Sequence, residues 1–266
     1  PICRTDFWAA PHKPEDSEFK ELQNFLSQGK GNWRAAGSLP GRKVMAINWG
    51  IQWQEGMSTE ELLLLALRIL HRKGCLGVII GGWSGMDKLG RELVKGNVAW
   101  LEALVEKKEA TTLTAFATFR VCFVEAAPHA WLLPQCWCFL HQGCLGPMHA
   151  ALRATCPSII TPSAGNDFLV ARRTITLDEP NVGIAFHRKM KEISIEEFMS
   201  AIDSVVKSRE RSASDPASKP EQGRPCPNTE TAADIIDAFA RKEALSGSLY
   251  DSVRKIFRVS NKKAKA

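Results

Sequence analysis

No apolar run in this 266-residue chain reaches the roughly 18 to 20 residues needed to cross a bilayer. The best candidate, ELLLLALRIL at Glu61–Leu70, is short and interrupted by Glu and Arg. A basic-then-apolar leader is also missing, and the first residue is Pro1 rather than Met. The expectation is therefore a soluble chain that is either processed or a fragment of something longer. The eight cysteines supply no metal set. Cys75, Cys122, Cys136, Cys138 and Cys156 sit in apolar strand-like segments, where a thiol acts as a small hydrophobe. Cys136 and Cys138 are expected on the same strand face, but no second pair or histidine cluster completes a zinc site. Reduced structural thiols in a cytoplasmic setting are expected. A strong charge imbalance is lacking from the body of the chain: Lys207–Ala266 holds thirteen basic and eight acidic residues and so contributes +5 of the net +6. A mildly basic tail reads as a solvated extension more readily than as a nucleic-acid site, and no nucleic-acid partner is expected.

What is present is a substantial hydrophobic fraction, 44%, enough for one main domain with appendages. Residues 1–42 read as a connector, with one helical stretch at Ser17–Leu26 where Phe19, Leu22, Phe25 and Leu26 share a face. A βα rhythm then fills residues 43–206. It runs through strand Val44–Asn48, helix Thr59–Arg72, strand Leu76–Ile80, a variable helical region around Arg91–Lys108, strand Val121–Val124 and a short helix at His129–Leu133. Strand Gln135–Leu140, a glycine loop with a short helix, strand Ser158–Thr161, a helix near Asp167–Thr174, strand Val182–Phe186 and helix Ser194–Val206 follow. Strands alternating with helices give an α/β fold, a Rossmann-like parallel sheet covered on both faces. Residues 207–230 have no apolar anchor and read as a disordered linker, and residues 231–266 as an amphipathic helical tail broken at Ser246–Gly247. The tail either docks back on the domain or makes a weak peripheral contact with a partner or a membrane.

Ligands of open parallel sheets bind at the carboxyl ends of the strands. The segments just after each strand are Asn48–Gln52, Gly81–Gly85, Glu125–His129, His141–Met148 and Ser163–Asp167. The fourth is the most telling, because HQGCLGPMHAALRA follows a buried strand and runs into a helix. Such a loop turns backbone N–H groups and the positive end of a helix dipole toward one place, which suits a phosphate or diphosphate. An imidazole at His141 is placed to donate to a diphosphate oxygen, although a satisfied core histidine fits the same position. Gly143 and Gly146 allow close backbone approach, or simply make the turn.

The order APHAWLLP, HQGCLG, AALRATCPSIITP and GNDF resembles the C-terminal, donor-binding domain of UDP-dependent glycosyltransferases of the GT-B fold. The branch it resembles is the sterol and glycopeptide type, whose corresponding run reads approximately HHGGAGTT and ends in an Asp-Gln pair. The resemblance spans about Asp6–Val206, including an FWAAP segment similar to that family's interdomain linker, and covers only half of such an enzyme. It implies a UDP-sugar as donor substrate, with no cofactor or metal, and a hydrophobic hydroxyl-bearing acceptor held by an N-terminal domain outside this sequence. That domain would also supply the general base, and His12, His71, His149 and His187 offer no substitute for it.

By the same resemblance His141, Gly143 and Gly146 face the diphosphate. Pro147 and Met148 stand where the family has small hydroxyl residues. Proline removes an N–H, and methionine brings no hydroxyl. Each hydrogen bond lost to a charged group costs roughly 1.5 to 3 kcal/mol. Gly50 and Ile51 replace a glycine-serine turn, so a second contact is weakened. Asn166 and Asp167 take the place of the pair that binds the sugar hydroxyls, with a helix N-cap as the alternative. Ala126, Pro128 and His129 match the part that receives the uracil ring, while Trp131 reads as core. Ser84 is a candidate for the cleft wall, as is its neighbour Trp83, for which packing is the simpler reason. Two expectations remain: the donor-binding portion of a hexosyltransferase, or a degenerate binding or scaffold module that keeps the fold.

Overall fold

A computed structural model describes residues 17–28, 43–49, 56–163, 167–168, 171 and 183–214, all of which fall in one compact unit, His12–Pro220. Gly50, Ile51, Asn166 and the C-terminal tail from residue 215 onward lie outside the described residues, as do the FWAAP segment and His12.

The described strands are β1 (Val44–Asn48), β2 (Leu76–Ile80), β3 (Val121–Val124), β4 (Cys138–His141), β5 (Ser158–Ile160) and β6 (Gly183–Ala185). They form one parallel sheet in the order β3-β2-β1-β4-β5-β6. β1 to β5 are buried along their whole length, as expected for near-continuous apolar runs covered on both faces. The chain winds outward from β1 in both directions, so the crevice between β1 and β4 is the topological switch point.

The helices are α1 (Ser17–Gln28), α2 (Thr59–Lys73), α3 (Met86–Val94), α4 (Ala99–Leu104), α5 (Lys107–Arg120), α6 (His129–Leu132), α7 (Leu145–Arg153) and α8 (Ile195–Ser214). α2 begins in a capping box, in which Glu61 N–H donates to Ser58 Oγ at 3.2 Å and Ser58 N–H donates to Glu61 Oε2 at 2.7 Å. It ends at Gly74, whose φ of +60° is the left-handed cap that glycine adopts at least cost. The leucine-rich face of α2 packs with α3, α5 and α8 against Met45, Ile47, Ile79 and Leu140. On the other face of the sheet Leu22 and Leu26 of α1 join Val44, Ala46, Val78 and Phe139.

Several elements differ from expectation. The helix read as part of a connector, α1, belongs to the core, because its apolar stripe buries Phe19, Leu22 and Leu26. Gln135 lies in a 3-10 turn, Leu133–Gln135, and β4 starts only at Cys138, because Pro134 suits the turn and has no N–H for a ladder. As a result Cys136 and Cys138 fall in the cores on opposite sides of the sheet instead of on one face. The variable helical region resolves into α3, α4 and α5. α8 runs through Ser214, past the boundary placed at Val206, since KSRERSAS contains helix-compatible residues and no proline. No described helix is long and apolar enough to cross a membrane.

Candidate functional site

Asn48 and His141 are register partners at the carboxyl ends of β1 and β4, which places both at the switch point. His141 is buried, and its ring stacks on Phe139, two residues earlier on the same strand face, with centroids 4.6 Å apart. The N–H of Gly143 donates to His141 Nδ1 at 3.1 Å. An Nδ1 that accepts leaves the proton of a neutral ring on Nε2. Nε2 is buried without a hydrogen-bond partner among the described residues. Burial pushes the His141 pKa down to about 3, with nearby His129 acting in the same direction, so the ring is a neutral donor at physiological pH.

Gly143 has a structural reason to be glycine. Its φ is +103°, and a Cβ there would stand 2.8 Å from Ile160 Cγ2 and 3.3 Å from the Asp167 carbonyl oxygen. The loop therefore turns sharply between β4 and β5 before α7 starts at Leu145.

His129, at the start of α6, lies against the same aromatic ring, with a centroid separation of 5.7 Å from Phe139. Its Nε2 is 3.2 Å from the side-chain amide nitrogen of Asn48. Burial holds its pKa below the usual histidine range. Sequence reasoning named His129 but not its partner; the available signal was a polar residue closing the otherwise apolar strand VMAIN.

In the first turn of α7, Leu145 and Gly146 keep N–H groups without a partner among the described residues, and Pro147 has none to give. The placement of Met148 at the ligand is corrected. Its N–H donates to the Cys144 carbonyl at 3.0 Å, and its side chain is buried with Ile160, Ala171 and Ala185. Cys144 precedes the helix, and its thiol lies 3.7 Å from Asp167 Oδ1. Burial and the Asp167 charge raise that thiol to about 11. Asp167 also accepts from Ser163 Oγ at 2.8 Å and Ser163 N–H at 3.4 Å, so its carboxylate pins the glycine loop to the end of β5. The structure brings Asp167 beside the loop, with its oxygens already engaged by protein donors.

Ser84 donates its hydroxyl to the Gly81 carbonyl at 2.7 Å and so shapes the turn after β2. Trp83 is corrected from a packing residue to an exposed one, since 89% of its surface is open where a 3-10 turn swings it outward. Ala126 is exposed after β3, and Pro128 caps α6, its carbonyl accepting the N–H groups of Trp131 and Leu132. Trp131 packs edge-on to Phe19 at 4.9 Å, the core position expected of it. A cleft of about 330 Å³, lined by Arg68, His71, Arg72, Lys108 and Glu109, sits at the C-terminal end of α2, which the helix carries away from this rim. Among the described residues no group of three or more His, Cys, Asp or Glu side chains is placed to hold a metal ion.

A 3-2-1-4-5-6 parallel sheet with a glycine loop and helix N-terminus at its switch point defines a Rossmann-like α/β domain. Its relatives make the class specific. The chain is 24% identical over 226 residues to a sterol 3-beta-glucosyltransferase of Arabidopsis thaliana, covering 85% of this chain and 29% of that protein. It is 33% identical over 185 residues to the sterol 3-beta-glucosyltransferase of Saccharomyces cerevisiae, covering 69% of this chain and 13% of the relative. A Penicillium rubens sterol 3-beta-glucosyltransferase is 33% identical over 199 residues, covering 74% and 12% respectively. The chain thus spans less than a third of the length of each of these relatives. No family model matches it. Among solved structures it is similar to Os79 from O. sativa in complex with UDP, with a TM-score of 0.49 and 14% identity over 73% of this chain and 37% of that one. It is also similar to the spinosyn rhamnosyltransferase SpnG, with a TM-score of 0.45 and 18% identity over 66% and 39%. The chain is a homologue of the sterol 3-beta-glucosyltransferases over most of its length, as its motifs implied.

Proposed function

We propose that this chain is the donor-binding portion of a glycosyltransferase that moves a hexose from a UDP-sugar to the hydroxyl of a sterol or a similarly hydrophobic acceptor. The observation that carries the reading is the buried, unpartnered Nε2 of His141, in the same strand-to-helix loop as the open N–H groups of α7 at the switch point. Neutral N–H donors of this kind stabilise a diphosphate in the ground state and the added charge that develops on it as the leaving group. The reaction would be an inverting displacement at the sugar C1, in which the acceptor oxygen forms its bond as the bond to the UDP oxygen breaks. A base outside this sequence would take the acceptor proton. The residues here would bind and orient the donor, with no metal or cofactor required and a cytoplasmic setting, with peripheral membrane association as an extension.

A second reading, a scaffold module that keeps the fold without the ligand, is favoured by Pro147 and Met148, neither of which leaves an N–H for a phosphate. Calorimetric titration with UDP and UDP-glucose separates the two. Micromolar binding that disappears in His141→Ala supports the donor site, and no heat up to millimolar UDP supports the scaffold.

A further inference from the structure

Two imidazoles meet Phe139 at the switch point, and each has one ring nitrogen held by a protein group. For His141 that group is a backbone N–H, which donates to Nδ1. For His129 it is the Asn48 side chain, with the amide nitrogen Nδ2 3.2 Å from Nε2. An amide nitrogen has only hydrogens to offer, so Nε2 must be the bare nitrogen of the neutral ring, and the proton resides on Nδ1. His129 Nδ1 has no bond among the described residues and is not sealed from solvent. Asn48 itself is fixed, being buried at the end of β1 between its register partners Ile80 and His141.

We propose that Asn48 is a positioning residue of the donor site: its amide holds His129 in the Nδ1–H tautomer, so that His129 presents a neutral N–H to an acceptor oxygen of the nucleoside diphosphate. Together with the Nε2–H of His141 this makes a pair of imidazole donors in opposite tautomers. Each is set by the protein before ligand arrives, and neither carries a charge. The proposal rests on the donor-site reading above and deepens it, since it assigns a residue through which that site is preorganised.

The test has two arms on the full chain. Long-range proton–nitrogen correlation spectra of the histidine side chains near neutral pH read the tautomer directly. The unmodified chain should show His129 protonated at Nδ1, and Asn48→Asp, whose carboxylate accepts only, should turn the ring to Nε2–H. Calorimetry with UDP then compares Asn48→Leu, His129→Ala and the double variant. Asn48→Leu should weaken binding about fivefold to tenfold, and should have less than about a twofold effect in the His129→Ala background, because its action runs through that ring. An Nε2–H ring in an unmodified chain that binds UDP overturns the proposal alone, since the amide would then be turned to accept. Additive losses in the double variant overturn it as well. Failure of the unmodified chain to bind UDP overturns the donor-site reading and the ligand role with it, whichever tautomer is seen. Should Asn48→Leu not fold, the near-isosteric Asn48→Asp and the spectrum of the unmodified chain still decide the tautomer.

Discussion

Acidification from about pH 7 to pH 5 should destabilise this domain by about 2 kcal/mol, and His141 should be the chief cause. In the unfolded chain an ordinary histidine takes up its proton near 6.5, whereas the buried ring of His141 resists protonation down to about 3. Between those values the unfolded state binds more protons than the folded one. The stability linked to the neutral ring is therefore fully present above the unfolded pKa and is lost as pH falls toward the folded one. At pH 5 the unfolded chain gains about RT ln(1 + 10^1.5), or ~2 kcal/mol, while the gain at pH 7 is only ~0.2 kcal/mol. His129 is lowered by burial too and adds to the same side. Carboxylates act in a different window: the Arg68 guanidinium holds Glu109 below its ordinary 4.5, so its contribution is lost only as the pH falls below that value. Urea unfolding midpoints at constant ionic strength, taken at pH 7, 6 and 5, measure the effect. The control is His141→Gln, which keeps an acceptor for the Gly143 N–H and has nothing to titrate. A change under about 0.5 kcal/mol in the unmodified chain, or an equal slope in the variant, would refute the reasoning.

Gly143→Ala combines a φ of +103° with a 2.8 Å approach to Ile160 Cγ2 and should cost ~2–4 kcal/mol, read from urea midpoints. Gly74→Ala, at a φ of +60° with open space around it, should cost only ~1 kcal/mol in the same assay. Pro147→Ala restores an N–H in the first turn of α7 and should tighten UDP binding about tenfold to a hundredfold by calorimetry; unchanged affinity would mean that this turn does not face the ligand. Trp83→Ala should change stability by no more than ~0.5 kcal/mol despite the size of the side chain, because 89% of it is exposed, whereas Trp49→Ala should cost ~3–5 kcal/mol.

Local patterning made the sheet legible. VMAIN and LGVII are short β-rich runs bounded by turn residues, and the structure keeps Val44–Asn48 and Leu76–Ile80 at the expected limits. Periodicity was less informative where it had to decide allegiance. The stripe in α1 reads equally as a connector helix or a core helix, and only the contacts of Leu22 and Leu26 with the sheet make it the second. Pro134 moved the start of β4 and with it the face of Cys136, a tertiary consequence of one missing N–H. The places of His141, Gly143 and Asp167 at and after the ends of β4 and β5 were legible from motif spacing. The Asn48–His129 contact was not, since it joins residues 81 positions apart through the pairing of β1 with β4. Met148 was misplaced for a related reason: a residue four positions past the cap of a helix faces either the ligand or the core, and its contact with Ile160 and Ala185 depends on β5 and β6 lying alongside.

On the proposed reading, Pro147 and Met148 leave few donors for a phosphate while fitting the helix and the core around them. Pro147 occupies a first-turn position where its missing N–H has no intrahelical acceptor to lose, and its fixed φ suits the helix. Met148 fills the small core with Ile160 and Ala171. What remains for a diphosphate at the described rim is a set of uncharged donors: the N–H groups of Leu145 and Gly146, His141 Nε2–H and, on the tautomer inferred above, His129 Nδ1–H. Each bond to a charged oxygen contributes roughly 1.5 to 3 kcal/mol, so four amount to roughly 6 to 12. Association costs ~4 kcal/mol or more in lost translational and rotational freedom. The difference ranges from barely measurable to micromolar affinity, and a single donor moves the chain from one end toward the other. On the proposed reading position 147 bears directly on that difference, because an N–H there would add a fifth donor to the set.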